Sequence, residues 1–128
     1  MTWLSLLLIF KIGYTALTAA GPMLLAGPGR IRAVLGIGEE AVPIVRLYGM
    51  ALAALLVGYG SGIPAAEAGV FPAGVVTMGI VSNAGATVLL LGTGAWRKTP
   101  FAAPVFGMIA LGLIAAALAP AASLSAAW

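Results

Sequence analysis

In a chain of 128 residues, 62% are hydrophobic, 7% are charged and the mean hydropathy is +1.16, which excludes a water-soluble globular domain, where about a quarter of residues carry charge. Six Lys/Arg against three Asp/Glu give a net charge of +3. No basic cluster is large enough to neutralise a nucleic-acid backbone, so nucleic acid is excluded as a partner. The lack of Cys and His removes disulfides, thiol redox chemistry, Cys/His zinc sites and His-ligated haem.

A membrane-crossing helix needs about 20 mainly apolar residues. The sequence therefore predicts an all-α fold, a single-domain integral membrane bundle of four transmembrane helices over about residues 3–25, 44–63, 73–96 and 101–119. The first apolar run carries one charge, Lys11, and ends at Gly27-Pro28-Gly29, a strong breaker. Small residues at Leu17-Thr18-Ala19-Ala20 resemble a leader cleavage site, but no Lys or Arg precedes the run. It is therefore expected to be retained as a span. Residues 30–37 are too short to cross and alternate basic with apolar positions. They are expected on the membrane surface, with Arg30 and Arg32 against lipid headgroups. Glu39-Glu40 then precede span 2, where a helix N-terminus favours negative charge. Pro43, Pro72 and Pro100 lie near the next three starts, positions where a missing N–H costs nothing. Pro64 and Pro120 mark the ends of spans 2 and 4.

Arg30, Arg32, Arg46, Arg97 and Lys98 fall on loops 1 and 3, and no basic residue falls on loop 2 or the tail. The positive-inside rule places loops 1 and 3 in the cytoplasm and both termini outside, with Trp3, Trp96 and Trp128 at the interfaces.

Lys11 is the foremost candidate site residue, because an ionisable group within a span is expensive and usually faces protein or a water-filled cavity. It lies roughly 12 Å along the helix from Trp3, at 1.5 Å per residue. Two readings follow: snorkelling to the outer headgroups, or burial against polar atoms of neighbouring helices. Thr15, Thr18 and Pro22 continue its helical face as a polar stripe. Tyr59 in span 2 and Asn83 in span 3 reach a similar depth, so Lys11, Tyr59 and Asn83 form a candidate ligand-binding cluster for a polar head such as a quinone carbonyl or lipid group. Tyr48 shares the Tyr59 face nearer the cytoplasmic end.

The 18 glycines are expected to serve packing. Gly49 with Ala53, Gly79 with Asn83, Ala103 with Gly107, and Gly112 with Ala116 repeat the small-xxx-small spacing that lets helices approach closely. Gly58-Tyr59-Gly60-Ser61-Gly62 lacks the Lys-Ser/Thr and strand context of a phosphate loop and is expected at a helix end. The three carboxylates, Glu39, Glu40 and Glu67, all fall in loops, and no His or Cys can complete a nucleophile–base pair. No enzyme activity, catalytic residue, metal or cofactor is expected.

Arg46-Leu47-Tyr48-Gly49, Gly58-Tyr59 and Ser82-Asn83-Ala84-Gly85 resemble small bacterial four-span membrane proteins of the DoxX-like group. The resemblance implies the four-span layout in a bacterial inner membrane, where the positive-inside reading makes both termini periplasmic. It also implies quinone-linked oxidation, which this chain's lack of metal and thiol sites does not support. The expected function is a non-catalytic accessory subunit packed against a larger membrane protein complex through its small-residue faces. The alternatives are a bundle that binds or transports a lipophile, quinone or lipid, and a DoxX-like quinone-linked subunit.

Overall fold

A computed structural model describes all 128 residues, and they form an all-helical protein without a sheet. Helix α1, Trp3–Leu25, leads through a sharp break to a short α2, Pro28–Leu35. Helices α3, Val42–Glu67, and α4, Ala73–Gly92, follow. The chain closes with α5, Ala102–Leu118, and the single turn α6, Pro120–Ser123. Three helical stretches, Trp3–Leu25, Glu39–Glu67 and Ala73–Gly92, are long and apolar enough to cross a membrane. This suggests a multi-pass membrane protein. Helix α5 is shorter, with 17 residues, or about 25 Å of rise.

Burial is consistent with that reading. Only 21 of 128 residues are buried, while large aliphatics such as Leu17, Leu25, Val57 and Leu118 stand three-quarters or more exposed. An exposed apolar surface of this extent is untenable in water. Helix α1 packs on α3 and α4 packs on α5, with lighter contacts joining the two hairpins. All four meet at one end, where Leu4 and Leu8 of α1, Ala66 of α3, Val76 of α4, and Leu113 and Ala116 of α5 form a closed core. The same end gathers the termini and the α3–α4 turn: Thr2 donates its N–H to Glu67 Oε1 at 2.8 Å and pairs with Ala126. Thr2 also caps α1 by accepting from the Ser5 N–H.

Two helix ends and one helix interior differ from the sequence expectation. Helix α3 continues through Pro64 to Glu67, so the glycine run 58–62 lies inside a helix rather than at its end. Packing explains it: a Cβ at Gly62 would stand 3.0 Å from Val75 Cγ1 and 3.2 Å from Leu8 Cδ1. Helix α4 stops at Gly92, short of 96, because Gly94 turns the chain at φ +74 into a 3-10 turn at Ala95–Arg97, a conformation that glycine adopts freely. In α1 a π-helical turn spans Ala16–Ala20, and its extra residue rotates everything beyond it. The polar stripe keeps Thr15, which is buried, and Thr18, which borders the space between the helices, and loses Pro22. Thr18 and Pro22 are exposed, and the Thr18 hydroxyl bonds its own helix at Tyr14 O.

Residues 30–37 lie in α2 and the turn after it, capped by Gly36 at φ +64. Ile31 is buried, whereas Arg30, Val34 and Leu35 are exposed. Arg32 Nη1 lies 3.5 Å from Glu39 Oε2. Arg46 does more than mark a loop. Its guanidinium donates to Leu24 O and, at 2.8 Å, to Ala26 O, satisfying carbonyls at the α1 C-terminus that no intrahelical donor reaches. A Cβ at Gly49 beside it would stand 2.9 Å from Met23 Cβ, so glycine sets how closely α3 approaches α1.

Candidate functional site

Away from the closed core the hairpins part, leaving a cavity of about 750 Å³, within the roughly 300–1,000 Å³ typical of small-molecule sites. It is lined by α1 from Lys11 to Met23, the middle of α3 from Tyr48 to Tyr59, α4 from Ser82 to Leu90, the α4–α5 loop and the start of α5. Its walls are mostly aliphatic, with Leu52, Leu55 and Leu56 facing Ala86, Leu89 and Leu90. Lys98 and Thr99 line the loop end, and Lys11, Thr15, Tyr59 and Ser82 line the inner end, next to the core.

Lys11 retains 5% exposure. Its Nζ lies 4.7 Å from the centre of the Phe106 ring and 5.9 Å from that of Tyr59, within the roughly 6 Å reach of a cation–π contact. The snorkelling geometry is not adopted. The ammonium makes no ion pair or side-chain hydrogen bond: Glu39 pairs with Arg32 and Glu67 holds Thr2. Phe106 is itself placed by Tyr14, whose ring meets it edge-on at 6.3 Å, and Tyr14 stacks on Phe10 at 6.1 Å.

Tyr59 is 1% exposed, and its hydroxyl lies 2.7 Å from Ser82 Oγ. Asn83, fully buried, donates from Nδ2 to Gly79 O at 2.7 Å and to the Tyr59 oxygen at 3.3 Å. Ser82 donates to Gly79 O at 3.2 Å, so the Tyr59 hydroxyl is left to donate to Ser82. Lys11, Tyr59 and Asn83 thus share one polar layer, but Lys11 meets the Tyr59 ring rather than its oxygen, and Asn83 stands behind Tyr59, outside the cavity wall. Two buried oxygens in this layer, Thr15 Oγ1 and Asn83 Oδ1, have no hydrogen-bond partner. Buried polar groups of that kind are uncommon and often mark functional sites.

Sequence reasoning missed Phe106. Its one signal is that it is the sole aromatic residue within α5.

The small residues serve the bundle itself. A Cβ at Gly79 would stand 2.6 Å from Leu113 Cδ1, one at Gly112 3.0 Å from Leu7 Cδ2, and one at Gly107 3.7 Å from Thr87 Cγ2. Ala103 and Ala116 are buried and Ala53 is half-buried. These positions let this chain's own helices approach.

No family model, curated protein or solved structure matches this chain.

Proposed function

We propose that this chain is a four-span integral membrane protein that binds a lipophilic molecule by its polar head in the cavity between its two hairpins. The observation that carries the reading is a lysine without a protein counter-ion at the inner end of a cavity with aliphatic walls. A hydrocarbon tail gains little by leaving lipid for such a cavity, because lipid tails are as apolar as leucine. Selection therefore falls to the head, and the polar groups stand where a head would rest. In this reading the chain holds its ligand without converting it and is not an enzyme. A neutral quinone, as in the DoxX-like alternative, would take a hydrogen bond from Lys11 through a carbonyl.

The accompanying topology has α5 as the fourth span, its 17 residues accommodated by local bilayer thinning. Loops 1 and 3 lie in the cytoplasm and both termini in the periplasm of a bacterial inner membrane, as the basic residues direct. The accessory subunit expected from the sequence is the second reading; the small residues it rests on make contacts within the chain, while the exposed apolar faces stay available to a partner.

Native mass spectrometry of the detergent-extracted protein tests the proposal. The expected spectrum shows one lipophile per chain, retained after washing with fresh detergent. A bare chain, or a chain carrying only a second protein, would overturn the proposal, the latter in favour of an accessory subunit.

A further inference from the structure

Resting on the lipophile-binding reading, we infer that the head recognised at Lys11 is a carboxylate and that the occupant is a single-chain, long-chain carboxylic acid. Every group around Lys11 is neutral: the rings of Tyr59 on α3 and Phe106 on α5 lie against its ammonium, and Thr15 on its own helix and Ser82 on α4 line the same end of the cavity. The two rings attract the cation but accept none of its N–H donors in an ordinary hydrogen bond. A charge in this setting is costly unless paired and hydrogen-bonded. A carboxylate offers two acceptor oxygens and the missing negative charge. Thr15 Oγ1, one helical turn from Lys11, buried and without a partner, lines the same inner end of the cavity and supplies a second donor.

The other head chemistries fit less well. A quinone or alcohol would accept from Lys11 but leave its charge unbalanced, and a quaternary ammonium would be repelled. A phosphodiester or sulfonate stays ionised at ordinary pH, so it would have to cross apolar surroundings as an anion. A carboxylic acid can make that passage as the neutral acid; beside the Lys11 ammonium it then gives its proton up to water, leaving a carboxylate–ammonium pair of zero net charge. The tail would run from Lys11 along Leu52, Leu55 and Leu89 toward the α4–α5 loop. Lys98, at that far end, is the rival anchor: a head bound there would drive its tail against Lys11.

The test is equilibrium binding of labelled hexadecanoate and labelled hexadecanol to the full chain in non-ionic detergent, by scintillation proximity. Wild type is compared with Lys11→Met, Lys11→Arg, Thr15→Val and Lys98→Gln. Hexadecanoate is expected to bind wild type about tenfold or more tightly than hexadecanol, the scale of one charge-assisted hydrogen bond. Lys11→Met should abolish that preference by lowering hexadecanoate affinity far more than hexadecanol affinity, since the alcohol loses only a single hydrogen bond. Lys11→Arg should keep most of the preference, Thr15→Val should lower it severalfold, and Lys98→Gln should leave it intact. If hexadecanol binds as well as hexadecanoate, or if Lys98→Gln removes the preference and Lys11→Met does not, the carboxylate inference falls while the lipophile site stands. If neither ligand binds, both fall.

Discussion

Replacing Phe106 with Leu keeps an apolar side chain but removes the ring that lies 4.7 Å from Lys11 Nζ. A cation–π contact is worth about 2 kcal/mol where the cation is desolvated, against roughly 0.5–1 kcal/mol at an exposed site, and Lys11 is 5% exposed. Tyr59, at 5.9 Å, lies at the edge of the same range and compensates only in part. Phe106→Leu also loses the edge contact with Tyr14, worth about 0.5–1.5 kcal/mol, and that cost does not depend on Lys11. The substitution should therefore destabilise wild type by about 2–3 kcal/mol and a Lys11→Met background by only about 1 kcal/mol. Lys11→Met alone should leave stability unchanged or raised, because it removes a buried charge with no protein partner. The assay is a double-mutant cycle on reversible unfolding in mixed micelles with rising dodecyl sulfate, followed by far-ultraviolet circular dichroism. The expected coupling is 1–2 kcal/mol by the same cation–π scale. Additivity within about 0.5 kcal/mol would refute the claim that the aromatic rings hold this cation.

Three further outcomes are expected. Gly79→Val should cost about 1–3 kcal/mol by overpacking, because its Cβ would fall 2.6 Å from Leu113 Cδ1. Gly85→Ala, with nothing within 4 Å of its Cβ, should be neutral or slightly stabilising, and equal effects in the same assay would reject the close α4–α5 contact. Arg46→Met should cost roughly 1.5–3 kcal/mol, the range for hydrogen bonds to charged groups, by freeing Leu24 O and Ala26 O. Arg46→Lys should recover only part of that, since one ammonium does not reproduce the fork; full recovery in the unfolding assay would contradict the capping role. A Cys at the exposed Ala68, in the α3–α4 turn, should react with an impermeant maleimide added outside spheroplasts, and a Cys at Thr99 only after lysis. The reverse pattern would invert the topology.

Much of the helix layout could be read from proline and glycine, because their effects are local. Pro43 sits in the first turn of α3, Pro72 is the N-cap of α4, Pro100 lies two residues before α5, and α1 ends just before Gly27-Pro28-Gly29. Counting 1.5 Å per residue was enough to set Lys11, Tyr59 and Asn83 at one depth. What escaped the sequence depends on tertiary contacts. Pro64 was expected to stop α3, but packing at Gly62 carries the helix past it. The π turn at Ala16–Ala20 has no composition signal and turns Pro22 off the expected stripe. Phe106 belongs to the Lys11 site only because α5 crosses α1 beside Tyr14. The division of the bundle into a packed half and an open half depends on how two hairpins splay, which helical periodicity does not encode.

The account rests on occupancy of the cavity, and blocking the cavity tests that most directly. Ala86 lies on the α4 wall, one helical turn beyond Ser82 toward the loop end, so Ala86→Phe should fill the space that the tail would occupy. Co-purified lipophile per chain is to be measured by native mass spectrometry for wild type and Ala86→Phe, with circular dichroism confirming equal helicity. The account predicts about one lipophile on wild type and a bare Ala86→Phe chain; equal lipophile content in the two folded proteins would contradict it.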